Sequence, residues 1–225
     1  MRFIKKTIPP TELTTWINIQ KAAAISPNYG IFQNPEKRAL KEYLIAEQKH
    51  ICCYCEQEIK IDNKVVIEHQ LPQSKFKHHE LDYYNMHLSC THDNKHCDTQ
   101  KKDELIVNLL LHPECSKFFK YSPTGEILPN THEYKNFEEF KENTNLLQFR
   151  FQSVVHLISV LELNSNQLVN ERKKTFNDII SNKDALFNTK AKIEAYLVMQ
   201  NAKKISIRFP SLVRYVLEKL LIKLN

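Results

Sequence analysis

Two groups of apolar residues at helical spacing occur in the first fifty residues, and turn-forming residues separate them. The pattern predicts a first helix from Thr11, a good N-cap residue, to about Ala24. It predicts a second helix with Asn34 as its cap and Pro35 at its first position. The apolar positions that define these helices are Leu13, Trp16, Ile17, Leu40, Tyr43 and Leu44. The second helix leads towards Cys52.

Shorter runs replace the helical spacing in the middle of the chain. Polar residues 56–63 indicate a turn, and the β-branched run that follows predicts a strand over Val65–His69, ended by a turn at Pro72. A further helix is expected from Asp98. It is predicted to carry the apolar residues Leu105, Ile106, Leu109 and Leu110 and to pack them against the strands.

The last part of the chain combines a hairpin pattern with a long helical pattern. Residues 117–121 and 126–128 flank a Ser-Pro-Thr-Gly turn and predict a β-hairpin. The helices predicted after it cover 137–149, 151–163, 167–180, 183–203 and 211–224. Pro210 marks the start of the last one, because proline is tolerated at a helix start and poorly inside a helix.

Composition excludes two classes of site and favours one class of partner. Only two glycines occur in 225 residues, so no glycine-rich phosphate loop can form, and any ATP must be bound by a partner. The net charge is +6, yet residues 51–116 carry seven basic against eleven acidic residues, while both flanking segments are basic. This distribution suits a carboxylate metal site in a surface that attracts a polyanion, although lysines that only solvate helix faces explain it equally well.

No run of about eighteen apolar residues occurs, so no membrane span is expected. The basic N-terminal segment lacks the apolar stretch of a secretory signal, which makes the cytoplasm the expected location. Reduced cysteines are therefore expected instead of disulfides.

Four of the six cysteines have metal-ligand spacing. Cys52 and Cys55 form a Cys-x-x-Cys pair, and Cys90 and Cys97 form a second pair with six residues between them. If the longer loop bulges outwards, the two pairs complete a tetrahedral site for a structural Zn²⁺. Cys53 and Cys115 are interpreted as small buried hydrophobic residues.

Strand, loop, strand and helix follow one another between the two cysteine pairs and beyond, with an acid–histidine dipeptide ending the first strand. In this order the chain resembles the HNH endonuclease motif, a ββα-metal finger. The resemblance implies that His69 is the general base, that Asn85 positions the His69 loop, and that Asp98 stands where the family usually has Asn or His. The residues predicted to hold a catalytic Mg²⁺ or Mn²⁺ are Glu68 and Asp98, because carboxylates are hard oxygen ligands.

Each of these assignments has a structural alternative. Asp98 could be a helix N-cap, Glu68 a solvated strand residue, and Asn85 a turn cap. Asn94 and His96 lie close enough in sequence to be the last metal ligand instead of Asp98. Lys101, the trailing lysine of the motif, and its neighbour Lys102 are predicted to contact phosphate.

The resemblance extends beyond the finger. It includes Glu-His-x-x-Pro-x-Ser, Leu-Asp-Tyr-x-Asn, His-Cys-Asp-x-x-Lys and the stretches 121–129 and 161–172. These motifs resemble the HNH protein that accompanies an ATPase in Septu and retron-associated anti-phage systems, the PtuB type. The resemblance implies a DNA-cleaving defence effector bound to a partner ATPase and, in retrons, to a reverse transcriptase with its RNA–DNA product.

The expected fold is α+β, with a zinc-stapled ββα-metal finger at 51–116 embedded in a mostly α-helical chain. Residues 1–50 form the N-terminal helices, and residues 117–225 form the hairpin and the helical C-terminal region, packed as one unit with the finger. Two other functions fit the residues. One is an RNA-cleaving nuclease acting on tRNA, and the other is a non-catalytic zinc module that binds nucleic acid or serves as an adaptor.

Overall fold

The β-branched run that follows the first cysteine pair forms the strand that its composition favours. In the computed structural model, which describes residues 1–91, 95–130, 153–201 and 207–224, strand β1 spans Val65–His69 and pairs antiparallel with β2, Met86–Cys90. The register sets Glu68 opposite His87 and Val65 opposite Cys90. The first strand therefore ends at the acid–histidine dipeptide, and the second ends at a cysteine of the predicted zinc site.

The two N-terminal helices are present with small differences at their starts. Helix α1 spans Thr11–Ala22 and α2 spans Glu36–Glu47. Pro10 and Pro35 occupy the cap positions, so Thr11 lies inside α1 and Asn34 lies one residue before the cap of α2. Helix α2 buries Leu40, Leu44 and Ile45.

The helix predicted from Asp98 is much shorter than expected. Helix α3 covers only Asp98–Lys101, and Lys102 follows it with a φ of 47°. Ile106, Leu109 and Leu110 are nevertheless buried. Backbone carbonyls of this segment accept hydrogen bonds from other parts of the chain, such as Gln70 Nε2 to Ile106 at 3.3 Å, instead of closing helical turns. The apolar spacing predicted burial correctly and helix length wrongly.

Strands β3, Phe119–Tyr121, and β4, Ile127–Pro129, form the predicted hairpin. Its turn residue Gly125 has a φ of 95°, and a Cβ there would lie 2.1 Å from the carbonyl oxygen of Val169. Buried Arg172 donates to the Gly125 carbonyl at 2.7 Å, so the hairpin turn is held against the C-terminal helices.

The described part of the C-terminal region is largely helical after the hairpin, as predicted, and the described residues of the helix predicted over 183–203 contain an additional break. Its described helices are the segment 153–160, α4 at Asn166–Ser181, α5 at Lys183–Leu186, α6 at Lys190–Asn201 and α7 at Pro210–Leu224. The helix predicted over 183–203 is interrupted at buried Phe187, and Thr189 Oγ1 accepts the Lys192 amide at 3.3 Å as the cap of α6. The helix predicted over 137–149 lies outside the described residues.

Buried side chains from the N-terminal helices, the β1–β2 unit, the hairpin and the C-terminal helices belong to one hydrophobic cluster. The cluster includes the cysteine-bearing turn, residues 52–55. In the part of the chain that the structure describes, no helix combines the length and apolarity needed to cross a membrane. The division into three segments stays a prediction.

Candidate functional site

The four cysteines with metal spacing converge in the interior. Their sulfur atoms all lie within 4.8 Å of one another, with Cys52 Sγ 3.8 Å from Cys97 Sγ and Cys55 Sγ 3.6 Å from Cys90 Sγ. Tetrahedral zinc with Zn–S bonds of about 2.3 Å requires sulfur atoms about 3.8 Å apart. The quartet therefore fits a structural zinc ion as the sequence predicted.

Local backbone geometry brings the first pair of sulfur atoms together. The Glu56 amide donates to the Cys52 carbonyl at 3.2 Å, which closes the tight turn between Cys52 and Cys55. The amide of Cys90, at the end of β2, donates to Cys52 Sγ at 3.4 Å. Cys97 enters at the start of α3, where its φ of 63° allows the chain to reverse.

Burial makes this site dependent on a cation. Desolvation raises the pKa of the Cys55 and Cys97 thiols well above the ordinary value. A zinc ion reverses that effect because thiolates are its ligands and its charge stabilises them. Without a cation, most of these sulfur atoms would keep their protons.

Two further cysteines and one histidine were also considered in the sequence, and none of them belongs to the quartet. Cys53 and Cys115 are buried outside the quartet, as predicted for small hydrophobic residues. His96 lies against the sulfur atoms, with Nδ1 3.1 Å from Cys97 Sγ. This contact places His96 at the zinc site, whereas Asn94 lies outside the described residues.

Glu68 is the centre of a second, acidic cluster beside the quartet. Its Oε1 accepts a hydrogen bond from the Tyr54 hydroxyl at 2.9 Å and pairs with Lys101 Nζ at 2.8 Å. Burial and the adjacent Asp98 side chain raise the pKa of Glu68 to about 8, although Lys101 opposes the shift. The two carboxylates predicted to share a metal ion are therefore neighbours.

These two carboxylates suit a hard divalent cation. Oxygen donors are what Mg²⁺ and Mn²⁺ prefer, and a cation between them would remove the repulsion that Asp98 exerts on Glu68. Magnesium keeps several water ligands, so two protein carboxylates are a normal number for it. Asp98 is partly exposed at the first position of α3, which leaves the pair open to a cation from solvent.

His69 is almost buried and held in one orientation. Its Nε2 donates to the backbone carbonyl of Glu80 at 3.0 Å, because a carbonyl can only accept. In the neutral ring Nδ1 is then an acceptor. Gln73 Nε2 lies against the ring, 3.1 Å from Nδ1 and 3.0 Å from Nε2. Burial lowers the pKa of His69 to about 4, so the ring is neutral near pH 7 and able to accept a proton.

Asn85 holds both ends of the loop that follows His69. Its Oδ1 accepts the Leu71 amide at 2.7 Å, and its Nδ2 donates to the carbonyls of Leu71 and His79, each at 3.1 Å. These contacts are of the kind that a positioning residue would make.

The two lysines predicted to contact phosphate have different environments. Lys101 is 1% exposed, and besides pairing with Glu68 it donates to the His69 carbonyl at 2.9 Å. This burial argues against direct contact with nucleic acid and makes Lys101 an internal partner of the acidic cluster. Lys102 is exposed just after α3 and stays predicted as a surface contact.

Sequence reasoning missed several residues of the site. The Tyr29 ring lies edge-on to His69, with ring centroids 4.7 Å apart, and Gln73 and Tyr54 contact His69 and Glu68. Tyr54, inside the Cys-x-x-Cys turn, could have been found from that turn. Tyr29 carries no comparable signal, because only tertiary packing brings it to His69.

No family model matches the chain. The chain is 26% identical over 179 residues to a Vibrio cholerae serotype O1 biovar El Tor protein named "Retron Vc95 putative HNH endonuclease". The similar region covers 76% of this chain and 80% of that relative. The similarity therefore extends well beyond a segment of the length predicted for the finger.

Proposed function

We propose that this chain is a metal-dependent HNH endonuclease that hydrolyses phosphodiester bonds of DNA. The observation that carries the proposal is the neutral, oriented His69 next to the Glu68–Asp98 carboxylate pair, with the cysteine quartet behind them. The similarity to a retron protein named as an HNH endonuclease supports the same reaction class.

The residues have separate tasks in this mechanism. His69 Nδ1 accepts the proton of the attacking water, and the Glu80 carbonyl keeps the other ring proton on Nε2 and stabilises the imidazolium that forms. Glu68 and Asp98 would hold Mg²⁺ or Mn²⁺, which supplies electrostatic stabilisation of the phosphate and its leaving oxygen. Asn85 keeps the His69 loop in place. The zinc site supports the turn and strand ends that carry these groups.

Gln73 must leave His69 Nδ1 before water can approach that nitrogen. Its amide nitrogen lies 3.1 Å from Nδ1 and 3.0 Å from Nε2, and so occupies space beside the nitrogen that the reaction needs. We expect substrate binding to displace the Gln73 amide, because catalytic hydrogen bonds often reach their reactive geometry only when substrate is bound.

We further propose that the nuclease acts in an anti-phage assembly of the PtuB type, with a partner ATPase and, in a retron, a reverse transcriptase and its RNA–DNA. The retron name of the relative supports this setting. The scarcity of glycine supports an ATPase on another chain, because this one has no phosphate loop.

The buried Lys101–Glu68 ion pair favours one rival function. An ammonium group already neutralises the inner carboxylate, as in a zinc module that binds nucleic acid or a partner without cutting it. The rival predicts zinc binding and no functional requirement for His69.

Plasmid cleavage distinguishes these functions. The wild type, His69→Ala and the exposed-histidine control His156→Ala would be assayed with Mg²⁺ or Mn²⁺, first alone and then with the proteins encoded beside the chain. We expect cleavage to need the divalent ion and to fall at least about 100-fold in His69→Ala only. Equal activity of His69→Ala and wild type would contradict the mechanism. A tRNA substrate run in parallel tests the RNA alternative.

A further inference from the structure

A cation from α2 lies next to the candidate active site, outside the finger. Lys37, in the first turn of α2, holds its Nζ 4.1 Å from the centroid of the Tyr29 ring. That ring meets the His69 imidazole edge-on at 4.7 Å and an interplanar angle of 88°. The Tyr29 ring is thus in contact with both the Lys37 ammonium and the His69 imidazole.

Lys37 differs from the other cations of this region in its partners. Arg38 pairs with Glu42 on the surface, and Lys101 pairs with Glu68 in the interior. In the part of the chain that the structure describes, no carboxylate lies within ion-pair distance of Lys37, whose contact is the face of Tyr29. Partial burial and then repulsion from Lys41 lower the pKa of Lys37. An anion at this position would relieve both effects.

Resting on the proposed function, we propose that Lys37, supported by the Tyr29 ring, binds a backbone phosphate of the nucleic acid beside the bond that is cut. An ammonium group is a compact point charge that binds phosphate without the fixed fork of arginine. The finger has more acidic than basic residues, so it does not attract a polyanion by itself. The N-terminal helices supply the missing positive charge at the edge of the site.

Tyr29 connects this contact to the base. Its ring carries the ammonium on its face and makes a T-shaped contact with His69, so one side chain touches both groups. Burial and the charge of Asp98 raise the pKa of its hydroxyl above the usual value, so the phenol stays neutral. Tyr29 is a positioning residue in this scheme, and Lys37 contacts substrate.

The test uses full-length, zinc-loaded protein without added Mg²⁺ or Mn²⁺, so that the probe stays intact. Binding of a short DNA duplex and of a single-stranded RNA would be measured by fluorescence anisotropy across a salt series. Lys37→Met removes the charge and keeps the apolar stem. Lys219→Met on α7 is a matched control, because Lys219 Nζ also faces a tyrosine ring, 5.7 Å from the centroid of Tyr215.

We expect Lys37→Met to make the slope of log affinity against log salt shallower, by the amount that corresponds to the loss of about one phosphate contact. Lys37→Arg should restore most of the wild-type slope. Lys219→Met should keep the wild-type slope. Equal slopes for wild type and Lys37→Met would overturn the inference. A smaller loss on RNA than on DNA, or the reverse, identifies the backbone that the site prefers.

Cleavage assays on the same variants separate this inference from the proposed function. Tyr29→Phe should retain cleavage, whereas Tyr29→Leu should reduce kcat more than binding, because the ring that orients His69 is lost. If the Lys37 and Tyr29 variants cleave DNA as the wild type does, in a metal-dependent reaction, only the inference about Lys37 and Tyr29 is contradicted. A wild type that neither binds nor cuts DNA or RNA would remove the inference and the proposed function together.

Discussion

Glu56 and Ser211 are hydrogen-bonded to each other across 155 residues of sequence. The Glu56 carboxylate accepts the Ser211 backbone amide at 2.9 Å and the Ser211 hydroxyl at 2.5 Å. Glu56 directly follows the first cysteine pair, and Ser211 is the second residue of α7. A side chain of the cysteine-bearing turn therefore caps the last helix and joins the cysteine quartet to the C-terminal region.

Glu56→Ala is expected to destabilise the protein by roughly 1–3 kcal/mol, because α7 loses its cap and a buried amide loses its partner. Thermal unfolding measures the change. Glu58→Ala, at an exposed position in the same turn, should unfold close to the wild-type temperature. Wild-type stability of Glu56→Ala would contradict the capping role.

Zinc removal is expected to unfold the finger and to loosen the scaffold attached to it. The Cys97 amide donates to the Leu161 carbonyl at 2.9 Å, so the quartet is tied to the C-terminal helical region. Structural zinc contributes roughly 10 kcal/mol or more to such small units. Cys52→Ser should lose bound zinc and become sensitive to protease, whereas Cys53→Ala, buried outside the quartet, should keep its metal. Elemental analysis and limited proteolysis report the two effects.

Gly125→Ala is expected to cost more than about 2 kcal/mol of stability. The new Cβ would lie 2.1 Å from the Val169 carbonyl oxygen and 2.7 Å from the Lys173 amide nitrogen, in a residue that also has a positive φ. Gly30→Ala provides the control, because its Cβ approaches only the Asn28 side chain, at 3.1 Å. Denaturant unfolding should separate the two variants clearly, and similar midpoints would show that the hairpin turn is not tightly packed.

His87 is expected to contribute a loss of stability as the pH falls below about 6.5. This imidazole is fully buried, and among the residues that the structure describes neither nitrogen has a hydrogen-bond partner; burial lowers its pKa well below the ordinary value. Above about pH 6.5 neither folded nor unfolded chain protonates it, so it adds no pH dependence. At lower pH the unfolded chain binds the proton and the folded chain does not, which costs up to about 1.4 kcal/mol per pH unit.

His87→Leu should remove this acid-sensitive contribution, since leucine keeps the site apolar and has no proton to bind. The same substitution at exposed His156 should leave the pH dependence unchanged. Unfolding midpoints measured from pH 5 to pH 8 compare the three proteins. Parallel curves for wild type and His87→Leu would show that another group controls acid stability.

Local sequence signals identified the parts of the site that local geometry determines. Two cysteines three residues apart face one metal ion through the geometry of a single turn, and a β-branched run ending in Glu68-His69 forms a strand wherever it has a partner. Apolar spacing identified the buried residues after α3 but not the end of that helix. Lys102 and Phe187 interrupt predicted helices because packing and hydrogen bonds from distant segments outweigh helix propensity.

The sequence by itself determined the cysteine quartet, the strand that carries Glu68 and His69, and the helical character of both flanking regions. Only the tertiary structure decided that Lys101 lies buried against Glu68, that Tyr29 packs against His69, and that Lys37 stands beside them with no carboxylate of the described residues within ion-pair distance. The physical reason is that these contacts join segments far apart in the chain. Their energies depend on burial and on neighbouring charges, which no local pattern of residues encodes.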